Sequence, residues 1–157
     1  MKRLLVAVAA SLLAFAAQAQ VPSYGVNVNL DQAKRAIAAG QAEARKNGWP
    51  VAIAILDTAG QLVAFEKMDD TQSASMDIAI DKGRSAAIFR RSTKVMEDAV
   101  AGGGAGVRFL NLRAASTVDG GLPIVLNGKI IGGIGVSGVA GNQDGQVAKA
   151  GADALAK

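Results

Sequence analysis

The sequence predicts an α+β domain built on an antiparallel sheet. Two apolar hairpin patterns, at 51–67 and 122–137, carry that prediction together with helix-period segments before, between and after them. The order is helix, hairpin, helix, helix, hairpin, helix, so strands meet through short turns and pair antiparallel. A chain of 157 residues, half of them apolar, suffices for one well-buried core and needs no second domain.

The N-terminus reads as a leader. Lys2 and Arg3 precede an apolar run from Leu4 to Ala17, and Ala17-Gln18-Ala19 is the small-x-small pattern of signal peptidase sites. Cleavage after Ala19 is expected, giving 1–19 as signal peptide, 20–29 as an N-terminal extension and 30–157 as the folded domain. The run is shorter than the roughly 20 residues of a bilayer span. With no cysteine there is no lipid attachment site and no disulfide. The expected product is exported, periplasmic or extracellular, without a membrane anchor. Loss of Lys2 and Arg3 takes the net charge from +4 to +2. That modest charge, four Phe, one Tyr and one Trp give neither the electrostatics nor the stacking platforms of a nucleic-acid partner.

In the domain, Asn29 or Asp31 caps a helix over 30–46, with Leu30, Ala33, Ile37 and Ala44 at helical spacing and Gly48 and Pro50 as stops. Apolar 51–56, the turn Asp57-Thr58-Ala59-Gly60 and 61–67 form the first hairpin. A second helix begins at Ser75 or Asp77 and runs to about 91, and Ser92 caps a shorter third helix to about 101. Gly102-Gly-Gly-Ala-Gly106 reads as a mobile loop or a place of close backbone approach. Asn127-Gly128 is a strong hairpin signal between 122–126 and 129–137, because both turn residues must accept positive φ. Gly132, Gly133 and Gly135 weaken the strand they sit in, which points to a helix or another subunit packed tightly on a side-chain-free surface. A last helix over 143–156 presents Val147, Ala150, Gly151, Ala154 and Leu155 on one face.

The chemistry is narrowed by the absence of histidine as well as cysteine. Ser-His-Asp and Cys-His catalysis and imidazole or thiolate metal ligation are excluded. Asp77 and Asp81 lie one turn apart with Arg84 three residues on, which reads either as a solvated acidic face or as a candidate weak cation site. Lys82 has Ile78, Ala79, Ser85 and Ala86 as helical neighbours; it either snorkels or ends in a pocket, where a desolvated amine serves as anion anchor or base. Arg91, Ser92 and Thr93 stand at a helix start, where backbone amides and arginine favour an anion, with ordinary capping as the other reading. The glycine tracts lack the Lys-Ser/Thr continuation of a phosphate loop.

Four segments together resemble the GlcG/HbpS family of haem-binding or haem-degrading small proteins. They are Val51-Ala-Ile-Ala-Ile-Leu-Asp57 with Gly60; Lys82 with Ala86-Ala87-Ile88-Phe89; Arg91-Ser92-Thr93; and Gly120-Gly121-Leu122-Pro123 through Gly138. The resemblance spans about 30–155. It implies a profilin-like, five-stranded antiparallel sheet flanked by helices, assembly as a homo-oligomer, and haem as cofactor, with Thr93 at a position linked to haem contact. Members also show proline where this chain has Ser92. Three functions follow as expectations. One is an exported haem- or tetrapyrrole-binding protein, binding rather than turning over its ligand. Its axial ligand would come from Tyr24, Met68, Met76, Met96, lysine or hydroxyl oxygen, so a weak, high-spin or surface mode is expected. The others are a binder or cofactor-free enzyme for a small hydroxy or keto acid, held by Lys82, Arg91, Ser92 and Thr93, and an oligomeric accessory protein.

Overall fold

The computed structural model describes residues 21–156, so the expected leader lies outside the described residues. Helix α1, Leu30–Asn47, is fixed at its start by a reciprocal cap: Asn29 Oδ1 accepts from the Gln32 amide and Gln32 Oε1 from the Asn29 amide, each at 2.9 Å. It ends at Gly48, whose φ of 70° suits the left-handed cap. The remaining elements are β1 (Ala52–Leu56), β2 (Leu62–Lys67), α2 (Ser75–Phe89), α3 (Thr93–Ala101), a 3-10 segment (Gly104–Asn111), β3 (Gly121–Leu126), β4 (Lys129–Ser137) and α4 (Gly141–Asp153). The expected order therefore holds. The 3-10 segment is an addition: Gly103 and Gly104 take positive φ, and a methyl on Gly106 would collide with the Ala99 carbonyl of α3. Of the two readings of that tract, close backbone approach is the one seen.

The sheet order is β2-β1-β4-β3, with every neighbouring pair antiparallel. The fold is thus the expected α+β class, but the sheet has four strands and not five. Residues 23–28 follow β4 past the end of β1, where Ile130 donates to the Ser23 carbonyl and Gly25 and Val28 donate to Ile130 and Ile131. This yields one parallel bridge, Tyr24 to Ile130. The segment cannot lengthen into a strand because Asn27 turns aside to accept from Thr58, and Asn29 must then cap α1.

Strand β1 alternates between two buried faces. Ile53 and Ile55 join Ile134 and Val136 under α1 and α4, whereas Ala52, Ala54 and Leu56 face Ala79 of α2. The β4 glycines explain themselves on the second face. A methyl on Gly133 would strike the Gly83 carbonyl, and one on Gly135 would strike Ala79 and Gly83, so α2 lies almost directly on the sheet backbone. The expected close partner is a helix of the same chain. Val147 and Gly151 of α4 turn inward as expected, and so does Leu155 just past the end of the helix, whereas Ala154 is exposed.

Candidate functional site

The close seating of α2 determines where Lys82 goes. Its side chain passes over the edge of the sheet and is 1% exposed, with Nζ donating to Asp144 Oδ2 at 2.9 Å and to the Val136 carbonyl at 3.0 Å. Gly120 and Gly121 make room for it. A methyl on Gly120, where φ is 120°, would lie 2.9 Å from Lys82 Nζ, and one on Gly121 would lie 2.6 Å from Thr93 Cγ2. Thr93 is buried on the other side of the same glycine pair, and its hydroxyl accepts from the Gly121 amide at 2.9 Å. Lys82 and Thr93 are therefore brought together as two braces of one backbone turn.

Asp144 stands in the first turns of α4 and also accepts from the Val139 amide. Its burial pushes the carboxyl above its ordinary range, against the opposing pull of Lys82. Asp119 is the second perturbed acid. It accepts from the Gly120 amide at 2.7 Å, and burial, with Glu97 nearby, raises it too. The sequence offered no signal for the Lys82–Asp144 pair, whose members lie 62 residues apart.

Above this pair opens a cleft of about 770 Å³ between α2, residues 113–118 and the start of α4. Ile78, Val118 and Val139 form apolar wall, and Arg84 and Arg113 bring positive charge to it. Arg84 donates to Asp81 Oδ1 at 2.8 Å and through Nε to the Gly60 carbonyl, which fixes its guanidinium at one side. Residues 113–118 are tied down where the Ser116 amide donates to Ser85 Oγ at 2.9 Å. Sequence reasoning noted Arg84 only as a partner of Asp81 and missed Arg113, Asp119 and Asp144: Arg113 and Asp119 stand in loops, which have no period, and the period of α4 does not show that Asp144 meets a lysine 62 residues away.

Of the other expected site residues, Asp81 lines the cleft and Arg91, Ser92 and Asp77 do not. Arg91 is exposed and donates to the Phe89 carbonyl, and Ser92 precedes α3 without a side-chain cap bond; neither lines the cleft. Asp77 is exposed, Asp81 faces Arg84, and among the described residues no three acidic side chains gather as a metal site.

The tyrosine and methionine candidates for haem ligation are outside the cleft, whereas Lys82, which Asp144 holds, and the hydroxyl-bearing Ser116 and Ser137 line it. Tyr24 donates to the Ala87 and Ile88 carbonyls, Met96 is buried against Ser85, Met68 packs against the main core and Met76 is exposed. The cleft thus suits the acid groups and apolar edge of a tetrapyrrole, and its lining offers an iron no imidazole, thioether or phenol. Chemically it can hold an anion with an apolar body. It presents no nucleophile paired with a base.

Comparison with known proteins gives the family of the chain. A family model described as haem degrading protein, HbpS-like, matches residues 28–153. Protein GlcG of Escherichia coli is 45% identical over 112 residues, covering 71% of this chain and 82% of that protein. The crystal structure of Klebsiella pneumoniae ORFY is similar with a TM-score of 0.76 at 29% identity, covering 85% of this chain and 94% of ORFY. A double mutant of Streptomyces reticuli HbpS gives a TM-score of 0.78 at 26% identity, over 90% of this chain and 96% of that one. By the span of that match and its likeness to GlcG, this chain belongs to the HbpS-like family.

Proposed function

We propose that this protein is exported and binds haem or a related carboxylate-bearing tetrapyrrole in the cleft beside α2, without turning it over. The observation that carries the reading is the pairing of apolar wall, Ile78, Val118 and Val139, with two guanidinium groups, Arg84 and Arg113, in a space of ligand size. The family description, haem degrading, supports the ligand class. Bound haem would supply an iron centre. This chain's residues hold the ring by its edge and its acid groups, and Lys82 with Asp144 forms the floor. Export rests on the leader at 1–19. Self-association is supported by the exposed Val95, Val107, Leu110 and Leu112 on and beyond α3.

The test compares haem with metal-free protoporphyrin, titrated into the protein beginning at Gln20. Holding by edge and acid groups predicts saturable binding of both with dissociation constants within about threefold, since an iron–nitrogen bond contributes to neither. Arg113→Ala should weaken both about tenfold, the loss of one charge-assisted contact. A histidine-type low-spin spectrum, or no saturation by either compound, overturns the reading.

One observation favours a second reading. The lining offers an iron no imidazole or thioether, and among the described residues Arg113 forms no ion pair, whereas Arg84 is held by Asp81 and Lys82 by Asp144, so Arg113 is the basic group of the cleft open to a smaller organic acid. Calorimetry against hydroxy and keto acids at millimolar concentration decides it: heat suppressed by Arg113→Ala supports a small acid, and none removes it.

A further inference from the structure

Four non-glycine residues among those described have positive φ: Asp70, Arg90, Ala114 and Asn127. Three have local reasons. Asp and Asn tolerate this region through their short polar side chains, and Arg90 terminates α2 with its guanidinium 5.5 Å from the Tyr24 ring. Ala114 has none. It lies at φ 65° as the third residue of the turn 112–115, closed by the Ala115 amide donating to the Leu112 carbonyl at 3.1 Å. A turn with positive φ only at that position is of type II, which calls for glycine or asparagine there.

The strained turn sits in the cleft. Ala114 and Arg113 both line it, and the chain is pinned just beyond, at Ser116 to Ser85 and at the Asp119 amide, which donates to Glu97 Oε2 at 2.6 Å. Strained backbone persists where the surroundings over-determine it, and it does so most often beside binding groups. We infer that Ala114 is a positioning residue: held in the left-handed region by these ties, it fixes the central peptide of the turn and so aims the Arg113 guanidinium into the cleft. Glycine would satisfy the turn without strain, but it opens other conformations to the same peptide and lets Arg113 swing away. This inference rests on the cleft being the binding site.

The experiment is a double-mutant cycle with Ala114→Gly and Arg113→Ala, read by metal-free protoporphyrin titration and thermal unfolding of each protein. Ala114→Gly alone should weaken binding about fivefold, a loss on the order expected for a loosened charge-assisted contact, while its Tm stays level or rises by a few degrees. In the Arg113→Ala background the same change should alter affinity less than about twofold, because its effect passes through that arginine. Unchanged affinity in Ala114→Gly, an equal loss in both backgrounds, or a fall in Tm alongside the fall in affinity overturns the inference and leaves the proposed function standing. Failure of the native protein to bind the porphyrin overturns both.

Discussion

Lys82 and Asp144 are an ion pair removed from water, 1% and 2% exposed at their side chains. Such a pair adds little over a well-packed apolar one, but deleting one partner strands the other. Lys82→Met should therefore cost about 3–5 kcal/mol in urea unfolding, and Lys82→Met with Asp144→Leu should recover a substantial part of it. A single-variant loss below about 1 kcal/mol would mean that water reaches the pair. The acids also set a pH dependence. Asp119 titrates above its ordinary value in the folded protein because of burial, with Glu97 adding and Lys82 and Lys94 opposing. The folded state then holds that proton more tightly, so the contribution is complete below the unfolded value of about 3.9 and is lost as pH rises through the folded one. Urea unfolding from pH 4 to 7 should show the native protein losing stability relative to Asp119→Asn, whose amide oxygen still accepts from Gly120. A native protein that gains on the variant over that range would reverse the sign.

The contact between α2 and β4 is the element on which the site depends, since it sets how far Lys82 travels over the sheet edge. It requires glycine on both surfaces, at Gly83 of the helix and at Gly133 and Gly135 of the strand. Gly135→Ala should destabilise by about 1–3 kcal/mol through overpacking, and it should also reduce porphyrin affinity by moving α2. Normal stability with normal binding would show that the helix shifts freely on the sheet. The cap of α1 is smaller in scale and independent of the cleft: Asn29→Ala should cost about 1 kcal/mol in thermal or urea unfolding and leave ligand affinity unchanged. The two cases differ in legibility. Asn29 with Gln32, and Asn127-Gly128, advertise themselves because cap and turn chemistry is local. The strand glycines announced only that something packs closely, and left open what.

At the scale of the molecule, the expected leader and the exposed apolar residues beyond α3 bear on where the protein acts and in what company. The secreted fraction should contain a chain beginning at Gln20, read by N-terminal sequencing, and light scattering on it should give a mass well above that of one chain. A monomer would leave Val107 and Leu110 to another partner. The sequence alone determined the class and order of elements, the two hairpins and the family, and it excluded histidine and thiolate chemistry. Each of these depends on local periodicity, turn residues or composition. Tertiary structure decided the number of strands, because the 23–28 segment had to leave β4 to reach its cap. It also decided the pairing of Lys82 with Asp144, the turning of Thr93 onto Gly121, and the meeting of Arg84 with Arg113 across a cleft. Those contacts join residues distant along the chain, and packing on a glycine surface, which has no sequence period of its own, brings them together.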